Sequence, residues 1–535
     1  MINRKAERWT GRLGVILAVA GSAIGLSSFL RFPTEAARYG GGTFMIPYLC
    51  ALICCGIPLV WMEWAFGRYG GIWGRHNLPG IFDAVTRRPW GKYLGVLGLY
   101  APFIIIVYYL YVESWTLGYT FYSAIGKFTY KSALPDTTYL FNHYLGIGGQ
   151  VISLPIIGLV FLLITLALNF YILNRGEAGI DKFTTYAMPV FCLFSVGLMV
   201  YLFLTRSFHG VSIWRGLDYA WKPDLHALAD PAIWLSATGQ VLFTLSLGLG
   251  AVITYTSFLR KDDDVALSGL TSLSINELVE IVLAGTLVLP MAIIFFGPHA
   301  TTATAQQHAF SLGFMTLPII FGQLPHGDLL GALWFLLLFF SGLTASVSLM
   351  KPIVAFFEDE LHWTRAKTSW ILLVVTIAYL APVVLLQKYG FLDEMDFWAV
   401  NIVLLVGALV ETVIFIAVLG MARGWEGITT GARMHVPVIF KYILYITPIF
   451  LLGTLAWWAW MHALPKLMLT DLPATIAKAD LPYRMIVTIA SRVTMGLFLL
   501  LMLLAIRFAA ARARARATEL SLPTPTDEEV SSDVS

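Results

Sequence analysis

The sequence predicts an all-α polytopic membrane protein. It has twelve transmembrane helices, of which the first ten form a five-plus-five inverted repeat with helices 1 and 6 broken. Three observations predict this. Hydrophobic residues make up 58% of 535 positions and charged residues only 13%, against about 45–50% and about 25% in soluble chains. Apolar runs long enough to cross a bilayer, roughly 20 residues each, recur along the whole chain. Two of these runs, five apart, are interrupted by glycine and serine in mid-span. So few charges cannot cover a water-soluble fold. The net charge of +3 is too small to imply a nucleic-acid partner.

In chain order, a polar N-terminal segment (1–12) carries Arg4, Lys5 and Arg8 and leads straight into run 1, near 13–36. It lacks a small-residue cleavage site, so run 1 is read as retained. Runs 2 to 5, near 44–67, 93–124, 149–173 and 185–205, complete a first repeat (13–205). A polar outer loop (206–231) follows. Runs 6 to 10, near 232–258, 266–296, 328–357, 369–387 and 397–420, make the second repeat (232–420). Between runs 7 and 8 the amphipathic stretch 297–327 reads as a helical hairpin capping the outer face. Runs 11 and 12, near 438–462 and 485–509, lie within 421–510. The tail 511–535 is basic and then acidic and Pro/Ser-rich, which predicts disorder.

Each isolated span must be helical, because lipid offers backbone groups no other partner. An even number of spans puts both termini on one side. Arg68, Arg75, Arg87, Arg88, Lys92, Arg260, Lys261, Arg512, Arg514 and Arg516 all fall on the N-terminal side. The positive-inside rule then makes that side cytoplasmic, in the plasma (inner) membrane.

Run 1 reads AGSAIGLSSFLRFP and run 6 reads FTLSLGLGAVITY. Interrupted helices at matching positions of two halves point to a midplane binding site. Close helix packing through the GxxxG pair Gly21 and Gly25 is the competing explanation. Ser22, Ser27, Ser28, Thr244, Ser246, Asn276 and Thr344 cluster near the midplane. Their hard oxygens suit a small alkali cation, and helix N-termini freed by the breaks suit a carboxylate. Arg31, Glu63, Glu113, Glu277, Glu280, Lys351, Asp396 and Glu411 are intramembrane charges, which mark cavities or partners. A water-linked Arg31–Asp396 pair would close an outer gate. No HExxH, GxxxxGK[ST] or GxSxG motif is present, which disfavours an enzyme. Cys50, Cys54, Cys55 and Cys192 lie in apolar runs and read as small core residues.

RLGVILAVAGSAIGLSSFLRFP, GGGTFMIPY, GIPLVWMEWAFGRYGG, YYLYVESWTLG, FTLSLGLGAVITY, SGLTSLSINE, WFLLLFFSGLT and LDEMDFWA resemble the neurotransmitter:sodium symporter family. The likeness is to its bacterial leucine-transporter-like amino-acid branch, over about residues 8–510. It implies sodium-coupled symport of a neutral, apolar amino acid by alternating access, with one or two sodium ions and no chloride requirement. The substrate pocket it implies is Ser22, Ala23, Gly25, Ser27, Ile105, Tyr109, Phe243, Thr244, Ser246, Leu249, Ala345 and Leu349. Carbonyls of Phe243 and Thr244 would meet the amine. Gly25, where monoamine members carry Asp, implies a substrate that brings its own carboxylate. Sodium site one would use Ala23, Ser28, Thr244 and Asn276. Sodium site two would use Gly21, Ile24, Ser341 and Thr344, with Ser341 through its backbone. Glu280 stands where an acid replaces chloride. Phe243 over Tyr109, with Arg31 and Asp396 above, forms the outer gate; Trp9 and Asp359 belong to the inner one.

Four residues depart from the pattern: Ser22 and Ser28 for Asn, Ser27 for Gly and Ala345 for Ser. Lys351 replaces a Gln. These departures leave three alternatives open: a transporter-like amino-acid sensor, proton or single-sodium coupling, and a smaller amino acid or osmolyte as substrate. Partners beyond substrate and lipid are not implied, and a homodimer is one option for the assembly.

Overall fold

In the computed structural model the chain is described at residues 12–128, 134–147, 155–175, 177–205, 207–208, 211–306, 308–470 and 480–521. Ten helices are long and apolar enough to cross a membrane: Gly14–Arg38, Gly42–Ile72, Pro89–Ala124, Ile156–Arg175, Val265–Ala305, Gly327–Leu361, Arg365–Leu385, Phe391–Thr429, Ile439–Met468 and Leu481–Arg512. These are spans 1 to 4 and 7 to 12. Span 5 is Glu177–Thr205. Span 6 is two shorter helices, Pro231–Thr244 and Ala251–Thr256. With these two the described residues contain the twelve expected helices.

The spans sort into two packed groups. Spans 1, 2, 6 and 7 contact one another, and span 3 runs along span 8 with spans 4 and 9 beside them. Leu, Ile, Val and Phe face lipid on the outer spans, as at Leu163, Ile449, Leu500 and Phe508. Hydroxyls, amides and acids are turned inward, since unpaired polar groups are costly in hydrocarbon.

Both expected breaks are present. In span 1 the α-helix ends at Ala23, and a wide π-turn, Ser27–Arg31, follows before Phe32–Arg38. In span 6 the break carries three positive φ values: Ser246 (56°), Gly248 (72°) and Gly250 (67°). The glycines adopt them freely, and the serine does so at a cost of about 1–3 kcal/mol. Asp230 caps the first half by accepting the Ala232 N–H (2.9 Å).

The outer stretch is helical as expected. Gly297 (φ 76°) kinks the end of span 7, and a separate helix, Ser311–Gly322, returns over span 1. A side chain at Gly313 would meet Leu30 at 2.5 Å, so this hairpin lies directly on span 1. The C-terminal expectation needs correction. The last helix runs to Ser521 rather than stopping near 510, because alternating alanine and arginine, as in ARARARA, are strong helix formers. Residues 522–535 lie outside the described part.

Candidate functional site

Gly25 is the meeting point of spans 1, 3 and 8. A Cβ there would stand 2.5 Å from the Tyr109 hydroxyl and 3.1 Å from the Ala345 Cβ. The break exposes the Leu26 N–H, which donates to the Tyr109 hydroxyl (3.0 Å). That hydroxyl therefore keeps its own hydrogen to offer. Ser22, Ala23, Ser27, Ile105, Phe243, Thr244, Ser246, Leu249 and Leu349 are also buried. The Ser22 hydroxyl bonds back to the Val19 carbonyl (2.8 Å), the ordinary fate of a helical serine. The Phe243 carbonyl, expected to meet the substrate amine, accepts the Ser246 N–H (3.1 Å) and keeps a second lone pair. The tight turn that reverses φ at Ser246 brings this amide back onto it.

Two oxygen clusters flank Gly25. In one, the Ser341 hydroxyl donates to the Ile24 carbonyl (2.6 Å). The Thr344 hydroxyl lies 2.9 Å from the Gly21 carbonyl and 2.8 Å from the Ser341 carbonyl. All four residues named for sodium site two thus converge, and every atom is a neutral oxygen. The sequence reading counted only the backbone of Ser341. Its side chain adds a hydroxyl on the helix face where Ala345 lacks one.

In the other cluster, Glu280 is the hub. Its Oε2 accepts from the Ser28 hydroxyl (3.1 Å) and from the Thr244 hydroxyl. Its Oε1 accepts from Gln240 Nε2 (2.9 Å) and Tyr48 (3.2 Å). Asn276 Nδ2 donates to the Thr244 hydroxyl (3.1 Å). Ser28, Thr244 and Asn276, three of the four residues named for sodium site one, therefore meet around one carboxylate. Gln240 and Tyr48 escaped sequence reading, since nothing local marks residues 40 and more than 200 positions distant.

Above the site, Arg31 and Asp396 bond directly, at 3.0 Å, and both are buried. The pair meets directly where a water link was expected, as a salt bridge. Tyr108 donates to Asp396 (2.9 Å), and Arg31 reaches Gln240 (2.5 Å) and Asn401 (3.5 Å). The guanidinium stands 5.6 Å from the centre of the Phe243 ring. Gln240 links this salt bridge to the Glu280 cluster. π-Turns carry Arg31, Glu280 and Asn401, a geometry that recurs at functional sites. Three residues before Asp396, Asp393 accepts from the Ala309 N–H (3.0 Å) and pairs with His308 (2.9 Å), tying the hairpin to span 10.

On the inner side, Asp359 accepts from the His76 N–H and Asn77 Nδ2, each at 3.2 Å. Trp9, the other inner-gate residue named from sequence, lies outside the described residues. Lys351 is not at the Thr344 cluster. Its ammonium stands over the Tyr255 ring (3.9 Å), and Tyr255 bonds Ser348 (2.5 Å), whose hydroxyl donates to the Thr344 carbonyl (2.9 Å).

Membrane-length helices packed around buried polar clusters, with a buried salt bridge beside them, fit a multi-pass membrane transporter, and the comparisons bear this class out. The family model described as Sodium:neurotransmitter symporter family matches residues 6–145 and 148–501, and the chain belongs to that family. An uncharacterized sodium-dependent transporter of Methanocaldococcus jannaschii is 29% identical over 453 residues, 83% of this chain and 89% of that one. The rat sodium- and chloride-dependent GABA transporter 2 is 23% identical over 484 residues, covering 84% and 79%. The crystal structure of MhsT in complex with L-phenylalanine matches with a TM-score of 0.74 and 26% identity, over 84% of this chain and 99% of that one. The protein is a sodium-dependent transporter with a small-molecule substrate.

Proposed function

We propose that the chain carries a neutral, apolar amino acid into the cell with one or two sodium ions, by alternating access, without requiring chloride. Both termini would face the cytoplasm across the plasma membrane. The observation that carries this reading is the convergence on Gly25. The Tyr109 hydroxyl and the amides of the span 1 break suit a carboxylate, and the oxygen clusters on either side suit cations. Ile105, Phe243, Leu249 and Leu349 supply the apolar surroundings. Gly25 leaves the carboxylate position to the substrate, because the Tyr109 contact has no room for a side chain there. The neutral-amino-acid substrate is also in keeping with the phenylalanine bound in MhsT.

In the transport cycle the Ser341–Thr344 cluster would hold a sodium ion between spans 1 and 8, and the Glu280 cluster would balance the charge of another beside the substrate. Replacing Ser341 or Thr344 by alanine removes one oxygen. Each change should weaken sodium binding by about 1–3 kcal/mol, roughly fivefold to a hundredfold or more. Ala345→Ser in the Ser341→Ala background should recover part of the loss. Sodium titrations of melting temperature check both expectations.

A melting screen of the twenty amino acids, in sodium and in potassium, tests the reading as a whole. A ligand at about 100 times its Kd stabilises by about 2.7 kcal/mol. Apolar amino acids should stabilise the protein in sodium only. Stabilisation that is equal in potassium would replace sodium coupling with another mechanism.

A further inference from the structure

Ser27 is buried (4% exposed), yet among the described residues its hydroxyl has no hydrogen bond. The other hydroxyls near the break of span 1 are taken. Ser22 bonds Val19, Ser28 and Thr244 bond Glu280, Ser341 bonds Ile24 and Thr344 bonds Gly21. Ser246, in the break of span 6, is a second exception, on the side expected to meet an amine. A helical serine ordinarily bonds back to a carbonyl three or four residues earlier, as Ser22 does. Ser27 follows the break instead. The α-helix has ended at Ala23, and the Ile24 carbonyl is taken by Ser341. A buried hydroxyl left without a partner is costly, so a group that satisfies it gains affinity.

The direction of Ser27 follows from its neighbours. Leu26 packs toward span 8, where a Cβ on Gly342 would stand 3.2 Å from its Cδ2. Ser28 turns to Glu280 on span 7. Ser27 shares the face of Arg31, four residues on in the same wide turn. Arg31 in turn lies over the Phe243 ring of span 6 (5.6 Å). Ser27 therefore faces span 6, one turn inward of the Arg31–Asp396 pair. Donors for a carboxylate are scarce here. The Leu26 N–H already donates to the Tyr109 hydroxyl (3.0 Å), so that amide is spent, and Tyr109 has one hydrogen to offer. A carboxylate accepts at both of its oxygens, and Ser27 holds a second hydroxyl ready on the same break.

We propose that the Ser27 hydroxyl hydrogen-bonds the substrate carboxylate beside Tyr109, a part that the glycine of the family pattern cannot play. This rests on the amino-acid reading above and deepens it. Position 27 becomes a determinant of specificity, favouring free acids over their neutral amides, because a hydrogen bond to an ionised acceptor is stronger than one to a neutral carbonyl.

Melting-temperature titrations of the full chain in sodium test this, with L-alanine, L-leucine and L-phenylalanine and with the amide of each. Ser27→Ala should weaken binding of the acid that the wild type holds most tightly by roughly tenfold to a hundredfold, as expected for a lost hydrogen bond to a charged group. Ser27→Gly should lose as much. Ser27→Thr, which restores a hydroxyl, should recover part of the loss. For the matching amide the loss should be smaller. An acid bound equally by wild type and Ser27→Ala would overturn the proposal. A loss of the same size for acid and amide would also overturn it, since that marks a change of pocket shape alone. Binding of none of the three acids by the wild type would instead overturn the apolar amino-acid reading, and the role of Ser27 with it.

Discussion

Glu280→Gln should make uptake depend on chloride. Glu280 accepts hydrogen bonds from Ser28, Thr244, Gln240 and Tyr48, the pattern of a carboxylate, so we expect it to serve as a fixed anion at the centre of its oxygen cluster. Glutamine preserves the shape and removes the charge. An ion pair about 4 Å apart is worth on the order of 4 kcal/mol at an effective dielectric constant of about 20. Sodium affinity in a chloride-free buffer should therefore fall by roughly a thousandfold. The four polar groups left around a neutral amide can accept a small anion, and chloride should restore much of the loss. The check is sodium-dependent uptake by wild type and variant in chloride and in gluconate. Wild type should ignore the anion and the variant should require chloride. A variant as active as wild type in gluconate would remove Glu280 from the ion site.

The second large effect is expected at the outer gate. Asp396→Asn leaves Arg31 buried with Gln240, Asn401 and the Phe243 ring but without its counter-charge. Breaking a buried ion pair by changing one partner costs about 3–5 kcal/mol. Here an escape is available: the gate can open and Arg31 can meet water. The variant should therefore favour the outward-open form by roughly a hundredfold or more. In a background with the four native cysteines replaced, Ser27→Cys should be labelled from outside far faster when Asp396→Asn is also present. Net uptake should drop, because a gate that does not close does not complete the cycle. Equal labelling with and without Asp396→Asn would show that the salt bridge does not hold the gate.

The spans were legible because apolar runs of bilayer length have few other uses. The two breaks were legible from glycine and hydroxyl residues placed where lipid should exclude them. The convergence of Gly21, Ile24, Ser341 and Thr344 was legible too, and these four residues do meet. The partners that complete each cluster were hidden. Tyr108, Gln240, Tyr48 and Asn401 are unremarkable within their own helices. They matter only because π-turns and helix packing bring distant spans together. The part of the Ser341 hydroxyl was hidden because a serine within a helix ordinarily bonds back to its own backbone, and only the packing of span 1 on span 8 gives it the Ile24 carbonyl. The helical extension to Ser521 was misread because charge and nearby Pro/Ser outweighed the helix propensity of alternating Ala and Arg.

The claim on which the rest depends is that amino-acid movement is driven by sodium. The most direct measurement uses purified protein in proteoliposomes and a radiolabelled form of the amino acid that most raises its melting temperature. An inward sodium gradient should drive accumulation above the outside concentration. Replacing sodium by potassium, or collapsing the gradient with a sodium ionophore, should abolish it. Accumulation that persists without sodium, or ligand binding with no accumulation and no exchange, would contradict the account.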